Sequence, residues 1–109
     1  MGQINNAVTN AHQVAVDHGF WGEGTQGTIG LVAKLGLVMC EVAEVIEAVR
    51  KPEEASSKCP ELTCEEEEVA DVFLRLADYC GARDIDLERA VQLKHTHNAS
   101  REYMHGKKA

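Results

Sequence analysis

Four stretches of the chain carry apolar residues at the three- and four-residue spacing of amphipathic helices, and no stretch alternates as a strand does. This spacing predicts helices over 3–18, 28–51, 63–81 and 86–104. Gly19 is expected to stop the first helix. Thr63 and Glu66 form a capping-box pattern at the start of the third. The pattern therefore predicts an all-α fold of four helices.

Two segments interrupt the helical pattern. Five glycines fall within residues 18–30, too many for a regular helix, and both prolines, Pro52 and Pro60, bracket the polar segment 51–62. We expect a loop at each place. A chain of 109 residues is short for more than one hydrophobic core. We therefore expect a single helical domain over 1–109.

The apolar stripes predict which helix faces form the core. They comprise Ile4, Val8, Ala11 and Ala15 on the first helix; Leu31, Leu35, Val38, Val42, Ile46 and Val49 on the second; and Val69, Val72, Phe73, Leu76 and Cys80 on the third. Most of the remaining circumference of the second helix is also apolar. Three other short helices cannot cover it, so we expect a homodimer or homotetramer, with active sites near a subunit interface.

The second helix nevertheless carries Glu41, Glu44 and Glu47 at three-residue steps, with Lys34 two turns before Glu41. Carboxylates on a buried helix are costly unless they are paired or coordinated to a cation, and like charges at this spacing repel each other. A divalent metal ion would offset both penalties.

The third helix repeats the arrangement, since Glu68 and Asp71 lie three residues apart on the side opposite its apolar stripe. Two such pairs of hard oxygen ligands suit Mg²⁺, and Mn²⁺ as a substitute. Taken alone, Glu68 and Asp71 are better explained as a solvated acidic face. The preceding glutamates at 65–67 are expected to complement the helix dipole in the first turn.

The net charge and the apolar content of the chain exclude some classes of partner. The net charge of -7 argues against a nucleic acid polymer, which needs clustered Lys and Arg. The sequence contains neither a membrane-spanning apolar run nor a signal-peptide pattern, so we expect a cytoplasmic protein with no membrane partner. The four cysteines are expected to be reduced thiols, because two lie in helical patterns. Their spacing disfavours a zinc site.

The stretch KLGLVMCEVAEVIEAVR, followed by EEEEVADVFLRLADYCGARDIDLERAVQLKHTHNASREY, resembles the MazG family of all-α nucleoside triphosphate pyrophosphohydrolases. The family mark is ExxE, a variable interval and ExxD, and positions 41, 44, 68 and 71 match it. Lys94, Asn98 and Arg101 match a downstream K, N and R. The similarity covers roughly 30–105, and the MHGKK tail resembles short phage-type members. The connection at 81–84 departs from the more apolar one usual there.

The resemblance implies a MazG-like bundle and hydrolysis of (d)NTP to (d)NMP and pyrophosphate, for control of nucleotide pools. It implies Mg²⁺ ligands at Glu41, Glu44, Glu68 and Asp71. Some short relatives prefer guanine nucleotides, which favours (d)GTP. Carboxylate repulsion would raise the pKa of an incompletely coordinated member, which could then act as general base. Glu44 is the first candidate for that role, and Glu47 is the reserve.

Positive and aromatic residues are the candidates for substrate contacts. Lys34, Lys94 and Arg101 are expected to bind phosphates with Asn98 as a hydrogen-bonding partner, or else to be solvated helix charges. Base recognition is assigned to Trp21, the only tryptophan, with Phe20 beside it. Both could instead plug the end of the bundle. The five histidines, His12, His18, His95, His97 and His105, are expected at the surface. His12 and His18 could instead line the same pocket as Trp21 and Phe20.

Two other functions stay open from the sequence. The first is a related helical pyrophosphatase that acts on dUTP or phosphoribosyl-ATP. The second is a noncatalytic dimeric helical protein that binds a partner through its acidic face.

Overall fold

The computed structural model of the chain describes residues 2–51 and 53–101. Its helices are α1 (Gln3–Asp17), α2 (Thr28–Val49), α3 (Cys64–Ala82) and α4 (Leu87–Ala99). Elsewhere in these residues the only β-type pairing is one antiparallel bridge, between Ala55 and Thr63. The predicted all-α fold of four helices is confirmed. In the part of the chain described, no helix combines the length and the apolar character needed to cross a membrane.

The helix ends follow the expected local chemistry at two places. Thr63 and Glu66 form the predicted capping box, with each side chain accepting from the other residue's backbone N–H. After α1, Gly19 takes a positive φ of 81°, a conformation that favours glycine. The next amide, of Phe20, donates back to the carbonyl of Ala15.

The third helix ends one residue later than predicted, because Gly81 does not stop it. Gly81 lies where α1 crosses α3, and a Cβ built on it would fall 2.5 Å from His12 Cβ. The turn is instead made by Asp84, whose φ of 52° lies in the left-handed region, which Asp tolerates better than most residues. The amide of Ile85 closes the turn onto the carbonyl of Cys80.

The fourth helix ends earlier than predicted. Its last helical residue is Ala99, and Ser100 caps it by donating its amide to the carbonyls of Thr96 and His97. The predicted end near Met104, and His105 after it, lie outside the described residues.

The helices pack around α3, which contacts both α2 and α1, while α4 contacts α1. The α1–α4 contact includes two polar bonds: Asn5 donates its backbone amide to Glu88 and its side-chain amide to Asp86. Within the described residues the main buried cluster is small, formed by Val8, Ala77 and Cys80 with Ala11 and Leu87 against it. The expected core stripe of α1 is thus confirmed, with Val8 and Ala15 buried.

The core faces predicted for α2 and α3 are confirmed only in part. Leu31, Leu35 and Val38 on α2 and Val72 on α3 are half-buried, and Cys80 is buried. On α2, Val42, Ile46 and Val49 are exposed, and the side turned toward α3 carries Glu41 and Ala48. On α3, the exposed members of the predicted stripe are Val69, Phe73 and Leu76. The two helices therefore meet with Glu41 facing Glu68 and Asp71, and part of each apolar stripe is uncovered in the single chain.

Candidate metal and phosphate site

Three carboxylates converge between α2 and α3. Glu41 projects from α2, and Glu68 and Asp71 project from α3; one oxygen of each lies within 4.8 Å of the other two. Residues three apart lie on the same side of a helix, which is why Glu68 and Asp71 present their carboxylates together. All three are half-buried.

This acidic cluster forms one wall of an open cavity of about 440 Å³. Its lining residues are charged, and they are Glu41, Glu44, Lys58, Glu67, Glu68, Asp71 and Arg75. The cavity therefore offers carboxylate oxygens to a metal ion and two cationic side chains to an anion.

Burial and neighbouring carboxylates raise the pKa of two members of the cluster, Glu68 and Asp71. Burial raises the pKa of Glu68 to about 7, and the neighbouring charges of Glu67, Asp71, Glu41 and Glu44 add to the effect. Burial also raises the pKa of Asp71, followed by its hydrogen bond to Glu67. Negative charge concentrated in this way is relieved either by a proton or by a cation. The donor set, three hard oxygens on two packed helices, fits a divalent ion such as Mg²⁺.

Glu67 has a part that the sequence did not indicate. It was expected to complement the dipole of α3, but its carboxylate accepts a hydrogen bond from the Ser56 hydroxyl, which lowers its pKa ahead of any other contact. Ser56 is only 2% exposed, and its oxygen also accepts from the amides of Lys58 and Cys59. These bonds hold the loop before α3 against the acidic cavity.

Arg75 and Lys58 are the two cations of the cavity, and neither was singled out from the sequence. Arg75 Nε donates to Glu41 Oε1 at 2.8 Å, with side-chain exposures of 45% and 15%. Arg75 follows Asp71 by one helical turn, and this i, i+4 spacing was the available signal. Lys58 belongs to the polar loop, where sequence periodicity carries no information about position.

Glu44 and Glu47, the other two acidic residues predicted for the site, lie at the edge of the acidic cavity or outside it. Glu44 lines the acidic cavity but is not one of the three converging carboxylates. Glu47 pairs with Arg50 at 3.7 Å on the surface, and the two side chains are largely exposed. Both also line a smaller cavity of about 240 Å³ beside Glu68.

The glycine-rich loop is attached to α1 and α3 through Asp78. Trp21 Nε1 donates to Asp78 Oδ1 at 2.7 Å, and His12 Nδ1 lies 2.8 Å from the same oxygen. Because a carboxylate only accepts, His12 carries its proton on Nδ1. The expected surface position is therefore wrong for His12, which is half-buried, whereas His18, His95 and His97 are exposed as predicted.

Lys34 lies against the same loop. Its ammonium is 4.6 Å from the centroid of the Trp21 ring and 5.9 Å from that of Phe20, within the range of a cation–π contact. It also donates to the carbonyl oxygen of Phe20. Lys34 is thus held at the aromatic residues and is not one of the residues that line the acidic cavity.

The three candidates on or after α4 are separate from the acidic cluster in the single chain. Lys94, Asn98 and Arg101 are exposed, and none of them lines a cavity with Glu41, Glu68 or Asp71. All four cysteines are free thiols, as predicted.

Comparisons of the chain with models of protein families, with curated proteins and with solved structures gave no match.

Proposed function

We propose that the protein is a Mg²⁺-dependent nucleoside triphosphate pyrophosphohydrolase that converts (d)NTP to (d)NMP and pyrophosphate. The observation that carries the proposal is the convergence of Glu41, Glu68 and Asp71 within 4.8 Å, beside cations in a cavity of about 440 Å³. These three residues belong to the ExxE and ExxD pairs. A solvated acidic surface gives no reason for half-buried carboxylates from two helices to meet.

Mg²⁺ would be held by Glu41, Glu68 and Asp71, with Glu44 at the edge, and Mn²⁺ would substitute. When bound, the ion would neutralise phosphate charge and increase the acidity of a water molecule. The proton of the attacking water is assigned to the carboxylate of Glu44, which lines the cavity outside the converging set. Glu47 remains the second choice because it lies further out, paired with Arg50.

The cations divide into two groups under this proposal. Arg75 and Lys58 lie in the acidic cavity and would contact the triphosphate directly. Lys34 orients the aromatic loop through Phe20 and Trp21. Lys94, Asn98 and Arg101 would reach phosphates from α4 of a second copy.

A homodimer or a dimer of dimers is part of the proposal. The single chain has an accessible surface of 8200 Å², whereas a compact monomer of 11.9 kDa exposes about 6,000 Å². The exposed apolar residues of α2 account for part of this excess, including Met39, which is 74% exposed, and Ile46, which is 61% exposed. In the proposed assembly a second copy covers these residues.

The proposed substrate preference is (d)GTP, in control of nucleotide pools. The direct test is to incubate the protein with Mg²⁺ and each of the common nucleoside triphosphates, including dUTP, and with phosphoribosyl-ATP. We expect pyrophosphate and a monophosphate as the products, and loss of turnover by about 100-fold or more in Asp71→Asn.

Glu61→Gln is the matched control, because Glu61 is an exposed carboxylate outside the cavity. It should keep the wild-type rate. Orthophosphate as the first product would refute the reaction, and turnover confined to dUTP or phosphoribosyl-ATP would favour the related pyrophosphatase. No turnover of any nucleotide would favour the noncatalytic dimeric helical protein, which would bind a partner through its acidic face.

A further inference from the structure

A second cavity adjoins the acidic one. It has a volume of about 300 Å³, lies between α1, α3 and the glycine-rich loop, and shares Asp71 and Arg75 with the acidic cavity. Its other walls are mainly apolar, with Val14 and Leu74 among them. Small-molecule sites are typically concave, apolar and of at least about this volume, with a few polar groups that fix orientation.

The polar group at the far side of this second cavity is Asp78. It follows Asp71 by two helical turns, about 10.5 Å along α3, a span that the sugar and base of a nucleotide can bridge. Trp21 and His12 both bond to its Oδ1, so the orientation of its carboxylate is fixed. Inside an apolar wall an acceptor-only group selects ligands that present N–H donors.

Phe20 supplies an aromatic surface to the same cavity. Its side chain is 61% exposed, although it is a large apolar group on a loop attached through its neighbour Trp21. Stacking on an aromatic ring is a common way to hold a nucleobase. The sequence assigned this role to Trp21, but the Trp21 indole N–H is bonded to Asp78 and its ring lies against Lys34.

We propose that this second cavity binds the nucleobase and that Asp78 determines the base preference; the proposal rests on the pyrophosphohydrolase function above. Phe20 stacks on the base while the Asp78 carboxylate accepts hydrogen bonds from its edge. Oδ1 already holds Trp21 and His12, so Oδ2 is the acceptor for the base. Guanine fits best, because its N1–H and N2 amino group are adjacent donors that this one oxygen can accept together. Trp21 and His12 are positioning residues, which act by holding Asp78.

The test is calorimetric titration with Mg²⁺ and three probes: a nonhydrolysable guanosine triphosphate analogue, the inosine analogue that lacks only the N2 amino group, and tripolyphosphate without a base. Wild type should bind the guanosine analogue about tenfold more tightly than the inosine analogue. Asp78→Asn should abolish this difference, since the new amide presents a donor, and should leave tripolyphosphate binding unchanged. Fluorescence of Trp21 reports whether the loop keeps its position in the variant.

Phe20→Leu provides an independent variant. It should weaken both nucleoside analogues about tenfold by loss of stacking and spare tripolyphosphate. Phe73→Leu is the matched control, because Phe73, the other phenylalanine, does not line this cavity. Equal binding of the guanosine and inosine analogues by wild type would overturn the nucleobase proposal and leave the proposed pyrophosphohydrolase function standing. An unchanged preference in Asp78→Asn would do the same. If tripolyphosphate and both analogues all fail to bind with Mg²⁺, the proposed function falls and this proposal with it.

Discussion

At the scale of single residues, the raised pKa of Glu68 makes the metal-free protein sensitive to pH. Between the usual value of 4.5 and about 7, folded Glu68 holds a proton that the unfolded chain releases. The free energy of unfolding should therefore fall as pH rises through this window. Thermal melts without metal at about pH 5 and about pH 8 should show the lower melting temperature at the higher pH.

Glu68→Gln removes this titration, so its melting temperature should depend less on pH than that of wild type. Adding a divalent metal ion should offset the loss of wild-type stability at the higher pH, because its binding to the ionised carboxylates stabilises the folded state by mass action. A metal-free wild type whose stability rises between these pH values would contradict the assignment.

Arg75 gives a second prediction at this scale. Its guanidinium holds Glu41 Oε1, an atom that a metal ion would also need, so Arg75 competes with the ion. Arg75→Gln should bind Mn²⁺ alone at least about tenfold more tightly, because even in water a unit charge 4 Å from a doubly charged cation costs about 2 kcal/mol. The same variant should bind a triphosphate analogue less tightly.

Arg83→Gln, at the end of α3 outside the acidic cavity, is the control. An unchanged or weaker Mn²⁺ affinity in Arg75→Gln would refute the competition.

Residue types and spacing made Glu41, Glu68 and Asp71 candidate ligands, and the resemblance to the MazG family joined them with Glu44 in one predicted site. The same reasoning missed Arg75, Lys58 and Ser56. Lys58 and Ser56 lie in the polar loop before α3, whose path depends on hydrogen bonds that no periodicity encodes.

At the scale of helices, the crossing of α1 over α3 depends on Gly81. A side chain at this position meets His12 Cβ, so Gly81→Ala should destabilise the fold by about 1–3 kcal/mol, despite the better helix propensity of alanine. Gly22→Ala is the control: a Cβ there meets nothing within 4 Å, and the change should leave stability equal or slightly higher. Urea unfolding measures both. Equal stabilities of Gly81→Ala and wild type would show that the two helices separate easily.

Periodicity predicted where the helices lie but not how α2 and α3 face each other. Apolar residues fill so much of α2 that its stripe does not identify one inward side, and α3 instead contacts the side with Glu41 and Ala48. The same ambiguity arises at Gly81, because a glycine required for close packing looks like a helix stop in sequence.

At the scale of the whole molecule, the single chain is more open than a compact chain of its length, as the proposed assembly requires. Its radius of gyration is 16.5 Å, against about 13 Å for a compact chain of this length. Light scattering coupled to gel filtration should give a mass of about 24 kDa, that of a dimer of the 11.9 kDa chain, or twice that mass for a tetramer. Ile46→Glu should shift the mass toward the monomer, because Ile46 lies on the exposed apolar side of α2.

Gln92→Glu, which adds the same charge on exposed α4, is the control for this shift. A wild-type mass of 12 kDa at low micromolar concentration would contradict the assembly. It would also remove the proposed route by which Lys94 and Arg101 reach the substrate.

The central claim is that Glu41, Glu68 and Asp71 bind a divalent ion that receives the triphosphate, and Mn²⁺ titration followed by electron paramagnetic resonance tests it most directly. Wild type should bind Mn²⁺, and Asp71→Asn should weaken binding by about 100-fold, since even outer partners of metal ligands are worth about 10- to 100-fold. Glu61→Gln should bind as wild type does. Wild type that fails to bind Mn²⁺, or Asp71→Asn that binds it equally well, would contradict the account.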